Sequence, residues 1–305
     1  IAGKGIISAI GNNVPQTLTS FHALKSGVDK ISVLQTNYAA SLPAAEIKLS
    51  NNELITLAGL PCDSRNALLS LIAAKEAMNN AAIPDFKKWR SGFISANTVG
   101  GMDITENIFH YYLADRSTPK LSETSRHDSG AITEIVADEL GIKDHITTIS
   151  TACSSSANTI MYAARMIKNN LLDIAIAGGT DSMSRFTLNG FNSLMILDNK
   201  PCTPYDENRK GLNLGEGAGY IVLVSEEVAA TLSKKPIATV AGYANANDAF
   251  HQTASSPEGK GNYLAMLGAL QRSVLETTEI DYINLPVTRT PNNDLSEGLA
   301  LQRIF

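Results

Sequence analysis

The sequence predicts an α/β protein built on a mostly parallel sheet with helices on both faces. Three observations predict it. Short β-branched or apolar runs alternate along the chain with stretches whose apolar residues recur at helical spacing. One run, 172–177, is apolar but for Asp173, as a strand buried on both faces requires. Another, 146–149, turns within a few small residues into a stretch marked by Ile160, Ala164 and Ile167.

The elements follow in order. Residues 1–11 read as a short strand with a glycine-rich continuation. Gly3-Lys4-Gly5 lacks the further glycines of a dinucleotide fingerprint and reads as a strand end and tight turn. Helices are predicted over 14–26, with Leu18, Phe21 and Leu24 on successive turns, and over 63–82, with Ala67, Leu71, Ala74 and Ala77 on one face. A strand over 91–97 ends in Thr98-Val99-Gly100-Gly101. A helix over 102–113 crowds Ile108, Phe109, Tyr111, Tyr112 and Leu113 together, which reads as ordinary core packing. Ile132, Ile135, Val136 and Leu140 form a clean helical stripe. After the strand at 172–177, Gly178-Gly179 lets the backbone pass close to a neighbour. An apolar stretch at 188–197 contains Phe191, a loop carries Pro204-Tyr205-Asp206 and Arg209, and a strand covers 219–224. Lys234-Lys235-Pro236 marks a junction, so the chain divides into 1–235 and 236–305. The second part reads as a strand at 237–245, a helix at 262–277, a strand at 281–285 and a helix from 295 to the end.

Bulk properties remove several function classes. A chain of 305 residues can bury a sizeable core. Its net charge of −5 offers no basic field for nucleic acid. No apolar run reaches the length of a membrane span, and no signal peptide is visible. Three widely spaced cysteines, Cys62, Cys153 and Cys202, suit neither a disulfide framework nor a zinc site, so a reducing cytoplasm is expected. No nucleotide fingerprint is present, and neither a cofactor nor a metal is expected.

The chemistry concentrates at Cys153. It lies where the strand at 146–149 turns sharply into a helix, among Ser154, Ser155 and Ser156. A helix N-terminus offers free N–H groups and a partial positive charge, which favour the thiolate, the nucleophilic form of cysteine. Small neighbours leave room for a substrate carbonyl. Taken alone, a cysteine in this setting is as readily a small core residue as a nucleophile.

The wider pattern resembles a β-ketoacyl-acyl-carrier-protein synthase of the elongating type. The resemblance rests on Thr151-Ala152-Cys153-Ser154-Ser155-Ser156, Ala177-Gly178-Gly179-Thr180-Asp181 and Leu214-Gly215-Glu216-Gly217-Ala218-Gly219, in that order, and runs over nearly the whole chain. It implies a thiolase-like fold: two stacked βαβαβ-type halves, with mostly parallel sheets between helix layers and a second half here incomplete. It implies Cys153 as the site of acyl loading and acyl carrier protein as the partner. Acyl and malonyl thioesters are the implied substrates, and the implied assembly is a homodimer that pairs through the strand at 172–177. Phe191 matches a position lining the acyl pocket. His251 and Thr253, in Asp248-Ala249-Phe250-His251-Gln252-Thr253, match a mobile loop at the substrate entrance. Glu216 is expected to be a buried structural carboxylate bonded to backbone N–H groups, and the cap at 102–113 matches a region at the dimer contact and acyl pocket.

The resemblance breaks at one place. The segment that carries the first catalytic histidine of the family reads here Ile283-Asn284-Leu285-Pro286-Val287-Thr288-Arg289-Thr290-Pro291. Asn284, Thr288, Thr290, Pro291, Asp294 and Glu297 match; the histidine position is Pro286 and the adjacent glycine position is Val287. The family's second histidine and a glycine-rich gate loop would follow Phe305, so the native protein is expected to continue beyond it. Proline has no side-chain donor for a developing enolate, so acylation without condensation is expected of the chain as written. His251 is a poor candidate to stand in. Two alternatives accompany the condensing enzyme: a non-catalytic partner that binds acyl carrier protein, and an acyltransferase that only loads Cys153.

Overall fold

The computed structural model describes residues 1–116, 121–251, 255–285 and 291–305. Among them run five strands, β1 (Gly3–Ser8), β2 (Ser91–Ala96), β3 (His145–Ile149), β4 (Ile174–Asp181) and β5 (Gly217–Val224). The helices are α1 (Val14–His22), α2 (Asn51–Ala58), α3 (Arg65–Ala81), α4 (Met102–Ala114), α5 (Ser129–Leu140), α6 (Ser155–Lys168), α7 (Arg185–Ser193), α8 (Glu226–Thr231), α9 (Lys260–Ser273) and α10 (Pro291–Gln302). Two compact units emerge, the first formed by 1–190 and 214–238, the second by 191–213 and 239–305.

The first unit holds one sheet in the order β1-β5-β4-β2-β3. β2 runs parallel to β4 and β3, while β5 is antiparallel to both β1 and β4. Four strands therefore share one direction and β5 opposes them. The strand at 172–177 that was expected to pair across a two-fold axis is β4. It is hydrogen-bonded on one side to β2 and on the other to β5, so it has no ladder edge left for a second chain. Its apolar run marks it as a central strand, and among the described residues β3 pairs with one neighbour, β2.

Ile7, Phe93, Ile174, Ile176 and Val222 from the sheet are fully buried with Leu68, Leu71, Ala74 and Ala77 of α3. Gly3 and Gly5 lie within β1, not in a turn. A Cβ on Gly5 would sit 2.1 Å from the Ala73 carbonyl oxygen, and one on Gly3 would sit 2.2 Å from that of Ala77. The glycines thus let α3 lie directly on β1. Tyr220 of β5 is buried, and its hydroxyl joins Ser70 Oγ of α3 at 2.7 Å to Ser95 Oγ of β2 at 2.6 Å. Burial pushes this phenol up to about 12.

Local signals set the helix ends. Ser64 accepts from the Ala67 N–H and caps α3. Ser50 and Glu53 form a reciprocal capping box at the start of α2. The helix at 102–113 departs from the core reading: α4 buries no residue, and Phe109, Tyr111 and Leu113 are exposed.

In the second unit α9 packs against α10. The strands expected at 237–245 and 281–285 are not assigned. A strand exists through its ladder, and among the described residues no ladder is assigned to either segment; the first exchanges backbone bonds at its start, where the Ile237 N–H donates to the Ile1 carbonyl and the Ile1 amine donates to the Ala238 carbonyl. The 239–245 stretch instead lies against α9, with the Ala269 carbonyl oxygen 2.2 Å from where a Gly242 Cβ would stand. The loop carrying Tyr205 and Arg209 is also less solvated than a charged loop suggests. Arg209 Nε lies 3.1 Å from Asp294 Oδ2, and the Tyr205 hydroxyl donates to Glu297 Oε2 at 3.4 Å.

Candidate active site

Cys153 sits on an elbow between β3 and α6. β3 ends at Ile149, Ala152 takes a left-handed φ of 54°, and α6 begins at Ser155. A left-handed non-glycine residue costs on the order of 1–3 kcal/mol, so its surroundings must hold it. Ser155 is one such hold: its hydroxyl accepts from the Thr151 N–H at 2.7 Å and donates to the Ala152 carbonyl at 2.6 Å. The Ser155 N–H also donates to the Ala152 carbonyl, at 3.1 Å. The result is a sharp corner with Cys153 exposed at its tip. Small side chains permit the corner to lie close to the sheet. A Cβ on Gly179 of β4 would fall 2.3 Å from Ser156 Oγ, and Thr159 Oγ1 donates to the Gly178 carbonyl at 3.1 Å.

Asp181 ends β4 and lines a groove of about 290 Å³ that also includes Ser156 and Gly179. It accepts from the Thr98 N–H at 2.9 Å and Thr98 Oγ1 at 3.0 Å. Burial pushes its carboxyl up, only partly offset by these bonds.

Glu216, 7% exposed, accepts from the Ile47 N–H and the Met183 N–H, each at 3.0 Å. It also takes a bidentate bond from Arg65, whose Nε reaches Oε2 at 2.9 Å and whose Nη2 reaches Oε1 at 2.5 Å. Arg65 spends its other donors on the carbonyls of Ile47 and Leu49, both at 2.8 Å, and on Asn51 Oδ1 at 3.1 Å. The pair borders a cavity of about 610 Å³ walled by Val33, Leu34, Ile104, Ile108, Tyr111 and Met183. Cys153 does not line this cavity, so its size says nothing about the acylation chemistry.

The remaining sequence candidates fall elsewhere. Phe191 is half-buried on α7 and His251 is exposed, both within the second unit. Thr253, Thr288 and Thr290 lie outside the described residues, as do Pro286 and Val287. Among the described residues no group of three or more His, Cys, Asp or Glu side chains is placed to hold a metal ion.

Sequence reasoning missed Arg65, Glu46 and Asn158. Arg65 had a signal, a charged residue inside an apolar helical stretch. Glu46, buried, accepts from the N–H groups of Ser32, Val33 and Leu34 and has no motif around it. Asn158 stands one helical turn after Ser155, a polar residue on the face that meets the elbow.

Comparison with known proteins places the chain in a family. Residues 62–229 match the N-terminal domain of β-ketoacyl synthases, and residues 237–305 match the C-terminal domain. The 3-oxoacyl-[acyl-carrier-protein] synthase 2 of Staphylococcus aureus (strain N315) is 31% identical over 316 aligned residues, covering 100% of this chain and 76% of the relative. Nodulation protein E of Rhizobium meliloti (strain 1021) is 29% identical over 310 residues, again covering 100% of this chain and 76% of the relative. The solved structure of the ishigamide ketosynthase/chain length factor superposes with a TM-score of 0.91 at 28% identity, over 100% of this chain and 76% of that one. With both domains matched and a relative 31% identical along the whole of this chain, the chain is a member of the β-ketoacyl synthase family.

Proposed function

We propose that this chain is an acyltransferase of acyl-chain synthesis that takes an acyl group from acyl carrier protein onto Cys153. The observation that carries the reading is the exposed sulfur at the tip of a strained strand-to-helix corner. The thiolate attacks the thioester carbonyl, and the carrier's sulfur leaves as a thiolate with the displaced electron pair. In the full condensing reaction a malonyl thioester then loses carbon dioxide. Its enolate carbon attacks the carbonyl of the Cys153 thioester, the Cys153 thiolate departs, and a 3-oxoacyl thioester forms on the carrier. The name of the Staphylococcus relative supports this reaction class.

Pro286 favours a second reading, loading without condensation, because the position matched to a histidine donor holds a ring with no donor at all. Each lost oxyanion donor typically lowers rate by about 10²–10³. The reading includes a homodimer and a cytoplasmic setting. Light scattering that shows a strict monomer would remove the dimer. No helix among the described residues is long and apolar enough to cross a membrane.

The test follows carbon dioxide release from malonyl-acyl-carrier protein beside acyl loading in the same sample. Loading with carbon dioxide release far slower is the expected result. Release as fast as loading would show that Pro286 is no impediment, and absence of loading would overturn the acyltransferase reading.

A further inference from the structure

We infer that Asn158 is a positioning residue for Cys153: its side-chain amide, through Thr151 and Ser154, holds the elbow in the shape that presents the sulfur. The inference rests on the acyl-loading reading of Cys153 and adds to it the residue that sets the nucleophile's geometry.

The side-chain bonds among Thr151, Ser154 and Asn158 use every hydrogen of the two hydroxyls and the amide. The Ser154 hydroxyl donates to the Thr151 carbonyl at 2.8 Å. Its single hydrogen is then used, so in the 3.1 Å contact between Thr151 Oγ1 and Ser154 Oγ the threonine donates. Both hydroxyl oxygens keep lone pairs. Asn158 Nδ2 fills them with its two hydrogens, one to Thr151 Oγ1 at 2.8 Å and one to Ser154 Oγ at 3.3 Å. Asn158 itself is 7% exposed, so water does not readily replace it. Its backbone N–H donates to the Ser154 carbonyl at 2.9 Å, which places the amide on the helix turn directly beneath the elbow.

This clamp brackets the strained residue. Thr151 precedes Ala152 and Ser154 follows Cys153, so one side chain ties the two ends of the corner together. Ala152 is held at a φ of 54°, a conformation that relaxes once its neighbours are released. Relaxation would rotate the Cys153 Cα–Cβ bond away from its present direction. Asn is required for its two donors. Asp at 158 has the same size but offers acceptors to oxygens that already lack a free hydrogen, and Ala removes the contact.

Asn158→Ala and Asn158→Asp are compared with the unchanged protein in two assays. One measures the saturating rate and half-saturating concentration of Cys153 loading by an acyl thioester. The other measures the rate of Cys153 alkylation by iodoacetamide, and melting midpoints are recorded for every variant. Both variants should lose about tenfold in saturating loading rate, as expected for two hydrogen bonds of ordinary net worth. The half-saturating concentration should stay within about twofold, and alkylation should slow in parallel. In a Thr151→Val background the further effect of Asn158→Ala should shrink to about threefold, because only the bond to Ser154 then remains to be lost. Unchanged rates in folded Asn158→Ala would overturn the inference. So would full activity in Asn158→Asp, which would mean packing alone matters, or an undiminished Asn158→Ala effect without the Thr151 hydroxyl. If the unchanged protein is never acylated, the acyl-loading reading fails, and the alkylation arm still decides whether Asn158 positions the thiol.

Discussion

Replacing Arg65 with methionine should be among the most damaging single changes in the first unit. Arg65 and Glu216 are each 7% exposed and face one another through a bidentate bond. Removing the guanidinium leaves a buried carboxylate with only two backbone N–H groups, from Ile47 and Met183. It also orphans the Ile47 and Leu49 carbonyls. Breaking a buried pair from one side costs about 3–5 kcal/mol, which for a chain of this size lowers Tm by roughly 10 °C. Urea unfolding followed by far-ultraviolet circular dichroism reads the loss as a shift in midpoint at constant slope. Adding Glu216→Gln to Arg65→Met should recover part of the stability, since the orphaned charge goes while an acceptor oxygen remains. A loss below about 1 kcal/mol in Arg65→Met, or a double variant as unstable as the sum of the single ones, would refute the view that this pair is a desolvated charge couple.

Two further predictions concern pH. Burial pushes the Glu46 carboxyl up, but the N–H groups of Leu34, Ser32 and Val33 and the Lys48 ammonium outweigh it and hold the group below its ordinary value. A depressed carboxyl stabilises the fold above its unfolded pKa of about 4.3 and loses that contribution as pH falls through the folded value. Glu46→Gln should therefore cost about 1–3 kcal/mol at pH 7 and much less in strong acid; an equal loss at both pH values in urea unfolding would contradict this. Asp181 has the opposite sign. Burial pushes its carboxyl up, so its ionisation opposes folding once pH rises above its unfolded value of about 3.9. Asp181→Asn should unfold at higher urea than the unchanged protein near neutrality, with the difference shrinking in acid. A difference that grows in acid would show that the Thr98 bonds, not burial, dominate at Asp181.

How much of this was legible depended on how local each feature is. The elbow was legible because strand, cysteine and helix start lie within one short stretch, and the steric demands for small residues act on neighbours in sequence. The alternation of strands and helices was legible for the same reason. Strand order was not: an apolar run shows that β4 is buried on its faces but not which strands flank it, so its expected role at a two-fold axis failed. Arg65 and Glu216 are 151 residues apart, and only the folded chain brings them together. The α2 helix could have been read from Ser50 and Glu53, whose spacing is that of a capping box. The expected strands at 237–245 and 281–285 show the converse. Apolar pattern predicts an extended segment, while a strand also needs a neighbour to pair with.

The central claim is that Cys153 is the acyl acceptor, and one measurement tests it most directly. The intact protein is incubated with an acyl thioester of acyl carrier protein, digested without reducing agent, and its cysteine peptides are weighed by mass spectrometry. The structure predicts an acyl mass on the peptide containing Cys153, none on the buried Cys62 or the exposed Cys202, and no acylation in Cys153→Ala. An acyl group that maps to Cys62 or Cys202, or that persists in Cys153→Ala, would contradict the account.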